Sequence, residues 1–462
     1  MSDTMARSPG SHRGRPDGFG GEMIRPGDSS YDELRSVFNA MIDKRPGVIA
    51  QCESAADVAA AVRYGVSEGL EIAVRGGGHS VAGAGVTDGG IVVDLRKMRS
   101  VQVDPEAKLA RVAGGATWAD LDGACQQYWL ATTGGRVSTT GVAGLTLGGG
   151  SGWLERKFGL ACDSLVSVEL ITADGQLVIA DETRNTELFW ALHGGGGNFG
   201  VATSLTFKLR PLTSMTLAML FWPADAGPEV IRRYRDLIEA GVPDELGGGV
   251  IYLTGPPEDF VPLHLQGERL VGAAAFYAGT EEETRAIFQP MMDLSPEGVM
   301  IAEMPYSAIQ SALDDPPGFR NYWSAEHLSE LPDEAIAAFV GGAAGMLHPS
   351  PSQQILVPWG GAVARDAGKW PLPHRDAAWV IHPFGLWADA ADDQRGIEWA
   401  RNLCTDMKPW ATGAVYLNFI GDEGQDRVVA GYGKDNYERL ARVKGEFDPG
   451  NVFHLNQNIK PA

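Results

Sequence analysis

Residues 74 to 83 read Val-Arg-Gly-Gly-Gly-His-Ser-Val-Ala-Gly, a glycine loop with one imidazole set into it. Gly76, Gly77, Gly78 and Gly83 let successive backbone N–H groups converge on one concavity, an arrangement that suits a pyrophosphate and needs no side chain to make it. An imidazole in such a loop has little side-chain surface to pack against. His79 is therefore a candidate for covalent or catalytic work. The segment from Thr133 to Gly152 repeats the theme: it contains Gly134, Gly135, Gly141, Gly144, Gly148, Gly149, Gly150 and Gly152. Each glycine weakens a helix or strand by about 0.5–1 kcal/mol relative to alanine, so close approach of backbone to something else is the economical reason for them. The two stretches read as two walls of one cofactor site.

The surrounding pattern predicts an α+β chain. Ser54 is a natural N-cap for an alanine-rich helix ending near Glu68, and Glu71 to Val74 then forms a strand that runs into the glycine loop. Strands are expected at Ile91–Leu95, Val101–Val103, Leu109–Val112 and Val201–Leu209, and a helix from Trp118 to Tyr128. A hairpin joins 166–171 to 176–179 across Ala173-Asp-Gly175. At 462 residues, roughly two to three domains are expected at about 100–200 residues each. The reading places a disordered tail at 1–26, a cofactor domain at 27–212, a substrate domain at 213–410 that carries most of the Trp and Pro, and a distinct C-terminal segment at 411–462.

A hydrophobic fraction of 44% and a charged fraction of 21% are those of a globular chain. The formal net charge of −21 argues against nucleic acid, which needs clustered Lys and Arg, and favours a small neutral or cationic substrate. Cys52, Cys125, Cys162 and Cys404 have neither CxxC nor metal-like spacing and read as reduced thiols. With no apolar leader and no run of about 18 apolar residues, no membrane span is expected and a cytoplasmic location is.

Six segments in order resemble the FAD-linked oxidoreductases of the vanillyl-alcohol oxidase and p-cresol methylhydroxylase fold, and among them the berberine-bridge-enzyme-like group. They are Arg75–His79, Gly141–Gly150, Lys157–Asp163, Gly194–Gly200, Tyr416–Phe419 and Phe447–Asn458. The resemblance implies a two-subdomain FAD-binding domain of the p-cresol methylhydroxylase type, plus an α+β substrate domain with an antiparallel sheet. It implies FAD bonded covalently to His79. It assigns cofactor binding to Arg75, Gly76, Gly77, Gly78, Ser80, Gly83, Val137, Thr139, Thr140, Gly141, Gly144, Leu145, Gly149, Gly152, Val201, Asn456 and Asn458.

Relatives with a second, cysteinyl tether carry the thiol where this chain has Val137, so His79 is expected to be the single tether. Cys162, 25 residues on, reads as a small buried residue. The activity implied is oxidation of an alcohol, amine or reduced ring of a small molecule, with O2 as acceptor, in secondary metabolism. A dehydrogenase using another acceptor, an oxidative cyclisation enzyme and a non-catalytic flavoprotein that sequesters a ligand are the alternatives. Tyr416 is the residue the resemblance names as general base, against a tyrosine simply packed between domains. A free tyrosine has a pKa of about 10, so ionising it at pH 7 costs about 4 kcal/mol. His374 and Arg375 are candidates to offset that, or are a solvated turn. Trp379, His382 and Trp387 fall to pocket or core.

Overall fold

The computed structural model describes residues 14–373 and 375–462. Three sheets carry most of the fold. The first has four strands in the order Glu22–Ile24, Val48–Gln51, Ile91–Asp94, Ile72–Arg75, the first pair antiparallel and the others parallel. Between Val48–Gln51 and Ile72–Arg75 runs the helix Ala55–Ser67, whose first turn is capped by the Ser54 hydroxyl accepting from the Asp57 amide. The glycine loop leaves the carboxyl end of Ile72–Arg75, the position where open parallel sheets bind ligands.

The second sheet is antiparallel, in the order Val101–Asp104, Leu109–Ala113, Val201–Lys208, Leu165–Ile171, Leu177–Asp181. The expected hairpin is present, with Gly175 in the left-handed region at φ 78°. The third sheet is also antiparallel. It runs Gly298–Glu303, Thr216–Pro223, Arg269–Tyr277, Leu246–Thr254, Gln353–Pro358, Trp379–Trp387, Arg320–Trp323. Helices 227–239, 281–292, 333–343 and 393–407 pack on one of its faces around a core that includes Tyr234, Phe288, Phe339 and Leu403. The helices Gln425–Tyr432 and Lys434–Phe447 leave that layer and join the core of the second sheet through Val428, Leu440 and Val443.

Two local expectations are corrected. The tail does not reach residue 26: residues 1–13 lie outside the described residues, but Phe19 is buried in the first sheet's core and Glu22–Ile24 pairs with Val48–Gln51. Three apolar anchors, Phe19 and Met23 on one side of the sheet's core and Ile24 in a second cluster, hold a segment rich in glycine, proline and charge. The second glycine stretch also contains a helix, Val142–Leu147, despite Gly144 at its centre. Burial of Val142, Ala143 and Leu147 outweighs the cost of that glycine. Among the described residues, no helix is long and apolar enough to cross a membrane.

Candidate active site

A cavity of about 360 Å³ lies where the glycine loop, the second glycine stretch, the 194–200 loop, the C-terminal segment and the third sheet converge. Gly76, Gly77, Gly78, His79, Ser80, Val137, Thr140, Gly141, Gly144, Leu145 and Asn456 line it. The two glycine stretches touch directly. A Cβ on Gly77 would stand 2.3 Å from the Gly141 nitrogen, and one on Gly141 2.4 Å from the Gly77 nitrogen. Gly144 differs: it lines the cavity, and a Cβ there would meet nothing of the protein within 4 Å. A wall so bare, with space in front of it, has the shape of a ligand cradle.

The remaining expected cofactor residues stand behind that wall. Arg75 is buried and donates to the Leu34 and Ser36 carbonyls, and burial pushes its guanidinium down to about 10. Gly83, at φ 70°, faces Ile42. Gly149, at φ 121°, lies against the Tyr416 ring, and Gly152 abuts the Gly134 carbonyl. Val201 is core, although its neighbours Gly200 and Ala202 line the cavity. Asn456, on the cavity wall, and Asn458, behind it, each hold a buried side-chain oxygen with no hydrogen-bond partner, and that of Asn456 is acceptor capacity that a ligand's donors would use.

His79 is half-buried at the cavity edge. Its Nε2 lies 2.9 Å from the Thr139 hydroxyl, and its ring stacks on Phe38 at 4.2 Å. Burial first, and the Arg75 charge second, push the imidazole down to about 4, so it is neutral at pH 7.

Tyr416 is buried, and its hydroxyl is not on the cavity wall. It accepts from the Gly150 amide at 2.6 Å, the Ser151 amide at 3.0 Å and the Asn418 side chain at 2.8 Å. Burial outweighs those three donors and pushes the phenol up to about 12. Its neighbours Leu417, Asn418 and Phe419 do reach the cavity. Arg375 does not assist Tyr416. It is consumed by Asp163, with two bonds of 2.8 Å between side chains each 2% exposed. His374 lies outside the described residues. Cys162 is fully buried behind the same pair, 3.7 Å from the Arg375 guanidinium, and is no part of the cavity wall.

A second wall is one face of the third sheet, and it meets the glycine loop where Trp323 packs edge-on to Phe38. Register explains it: Trp323 pairs with Phe384, Gln353 with Phe384 and Ile355 with His382, so these side chains share a face. His382 stacks on Phe419 at 4.2 Å, and Trp323 on Phe384 at 4.3 Å. Trp379 and Trp387 point the other way, into the core beneath the helices. The His382 Nδ1 is 2.9 Å from the Ser324 carbonyl, which can only accept, so Nδ1 carries the proton. Burial pushes this imidazole down to about 3 and keeps it neutral.

Residues 46–181 match the family described as FAD binding domain, and residues 415–460 match the one described as berberine and berberine-like. (R)-6-hydroxynicotine oxidase of Paenarthrobacter nicotinovorans is 31% identical over 461 residues, covering 96% of this chain and 97% of that one. The chain belongs to the berberine-bridge-enzyme-like FAD-linked oxidoreductases. An FAD-linked oxidoreductase of Bacillus subtilis is 29% identical, covering 96% of this chain and 97% of its own. The crystal structure of 6-hydroxy-D-nicotine oxidase from Arthrobacter nicotinovorans superposes with a TM-score of 0.84 at 28% identity, covering 96% and 98% of the two chains. A chitooligosaccharide oxidase, at 23% identity and a TM-score of 0.82 over 96% and 97%, shares the fold.

The FAD fold of this oxidoreductase family is thus joined here to a cavity with one glycine wall and one aromatic wall. Sequence reasoning missed two of its parts. The first is the aromatic wall, assembled from strands far apart in the chain. The second is Lys444, fully buried, which donates to the Asn198 carbonyl at 2.6 Å, the Phe453 carbonyl at 2.9 Å and Asp448 at 2.7 Å. That lysine ties the 194–200 glycine loop to the segment bearing Asn456. A lysine four residues before an aspartate on a helix carries no mark of burial in sequence.

Proposed function

We propose that this oxidoreductase is an oxidase of small-molecule amines, alcohols or reduced rings, with FAD bonded covalently through His79 and O2 as electron acceptor. The observation that carries the reading is His79 itself, an unprotonated imidazole held by Thr139 where the glycine wall begins. Attachment to a flavin methyl group requires a nitrogen lone pair, and a neutral ring has one. Val137 offers no sulfur, and Cys162 is sealed away with its thiol pushed up by burial, so one tether is expected.

In this reading Gly76, Gly77, Gly78, Ser80, Gly141, Gly144 and Leu145 cradle the cofactor, and Asn456 meets its polar edge. Arg75, Gly83, Gly149, Gly152, Val201 and Asn458 shape the loops from behind, and Thr140 stands on the cavity wall beside them. When bound, FAD supplies a two-electron acceptor for a hydride leaving the substrate carbon. Residues 213–410 act as the substrate domain, because the aromatic wall comes from its strands. Tyr416 acts as a positioning residue. Ionising a phenol at about 12 costs about 7 kcal/mol at pH 7, and its hydroxyl instead fixes the Gly150 and Ser151 amides and Asn418.

The test uses purified protein. It should be yellow, retain flavin through acid precipitation, yield a flavin-bearing peptide containing His79, and form hydrogen peroxide with members of an amine and alcohol panel. Flavin released by acid removes the covalent tether. Substrate-dependent bleaching without peroxide makes the enzyme a dehydrogenase.

A further inference from the structure

Asp315 lines the cavity from the loop that precedes the strand Arg320–Trp323. Its position is fixed by its neighbour. The Asp314 carboxylate accepts from the Ser138 amide at 2.6 Å and from the Ser138 hydroxyl, and Ser138 lies between Val137, on the cavity wall, and Thr139, bonded to His79. This bond seats the 313–315 loop against the His79 end of the cavity. The Asp315 carboxyl itself is half-buried and takes no hydrogen bond or ion pair among the described residues.

The other charged and titratable groups on the wall are spent or neutral. Arg136 donates to Ser151 and to Glu155, each at 2.9 Å, with its guanidinium over the Trp153 ring. His79 and His382 are neutral, and His382 presents Nε2 as an acceptor. Among the described residues, the cavity thus offers one uncompensated carboxyl among aromatic faces and no free cation. We propose that this site recognises its substrate as an aryl or alkyl ammonium ion, and that the Asp315 carboxylate is the specificity-determining group. The aromatic faces of Trp323 and Phe384 add to the preference for a cation, and the net charge of −21 draws cations to the protein. Burial first, and Asp314 second, raise the carboxyl to about 7, as a group awaiting a counter-ion should be.

The inference rests on the reading of this cavity as the FAD-dependent active site, and its test separates the two. Flavin-loaded protein is titrated with phenyltrimethylammonium and with its uncharged isostere tert-butylbenzene, neither of which titrates, following quenching of tryptophan fluorescence and perturbation of the flavin spectrum. At pH 8 the cation should bind roughly ten-fold or more tightly than the isostere. Asp315→Asn should bring the two within about two-fold at unchanged flavin content, and Asp315→Glu should restore most of the difference. In the unsubstituted protein the difference should shrink as pH falls from 8 to 5. His382 stays neutral over that range, and Asp315 and its exposed neighbour Asp314 are the carboxyls facing the loop. Protein that carries no flavin overturns the active-site reading. Flavin-loaded protein that binds both probes equally, or an Asp315→Asn variant that keeps the preference, overturns the role of Asp315. Should that variant lose flavin, a preference unchanged from pH 8 to 5 overturns it equally.

Discussion

Gly77 and Trp323 line one cavity, and the walls they belong to follow different rules. The glycine wall is made of backbone pressed on backbone: Gly77 and Gly141 exclude each other's side chains, and Gly152 sits against the Gly134 carbonyl. The sheet wall is made of side chains, Trp323, His382 and Phe384, fixed by cross-strand register and stacking. A backbone wall recognises what all relatives share, because it has no side chain to vary. A side-chain wall can be rewritten at Gln353 or Asp315 without moving a strand. In the proposed reading, cofactor and substrate thereby fall to separate parts of the chain.

The sharpest way to break that comparison is to give the glycine wall side chains. Gly77→Ala places a methyl 2.3 Å from the Gly141 nitrogen, so the loops must part, and flavin content should fall more than ten-fold with a loss of thermal stability. Gly144→Ala is the informative partner. Its methyl meets no protein atom within 4 Å, so the fold should keep its Tm while flavin content falls. Absorbance ratios and melting curves measured together decide it. If Gly144→Ala binds flavin fully, that stretch of wall is not the cradle.

The same contrast explains what could be read without a structure. The glycine wall is legible because glycine density is a local property, and the loop bearing His79, its preceding strand and the helix capped by Ser54 all follow from short-range pattern. The tail boundary falls earlier than the pattern predicts because Phe19, Met23 and Ile24 are too sparse to register against their neighbours, yet three anchors suffice once a strand edge is available at Val48–Gln51. The sheet wall was not legible. Trp379 and His382 lie three residues apart on one strand and face opposite sides, and only the register with Gln353–Pro358 assigns them. Arg375 looked available to Tyr416 because sequence does not reveal that Asp163 already holds it.

Tyr416 sits where the two walls meet, and its effect should be smaller than that of the glycine substitutions. Tyr416→Phe leaves the Gly150 and Ser151 amides without their acceptor, a cost of about 1–3 kcal/mol per unsatisfied buried group. As a positioning residue it should lower stability and slow anaerobic flavin bleaching by less than about ten-fold, with the pH profile unchanged. A loss of roughly 10²–10⁴-fold with an altered alkaline limb would make it the general base instead.

The smallest expected effect tests how His79 is prepared. Thr139→Val removes the hydroxyl that holds Nε2 and leaves the ring its stacking partner Phe38. A net hydrogen bond is worth about 0.5–1.5 kcal/mol, so covalent attachment in apoprotein reconstituted with FAD should slow by roughly two- to ten-fold and still reach the same extent. In the unsubstituted protein the attachment rate should be flat from pH 8 to 5 and fall only as pH drops through about 4, because the folded imidazole is protonated only there. In-gel flavin fluorescence after acid quenching measures both. A rate that instead follows an ordinary histidine near 6.5 would mean that the ring is solvated and that the glycine wall does not prepare it.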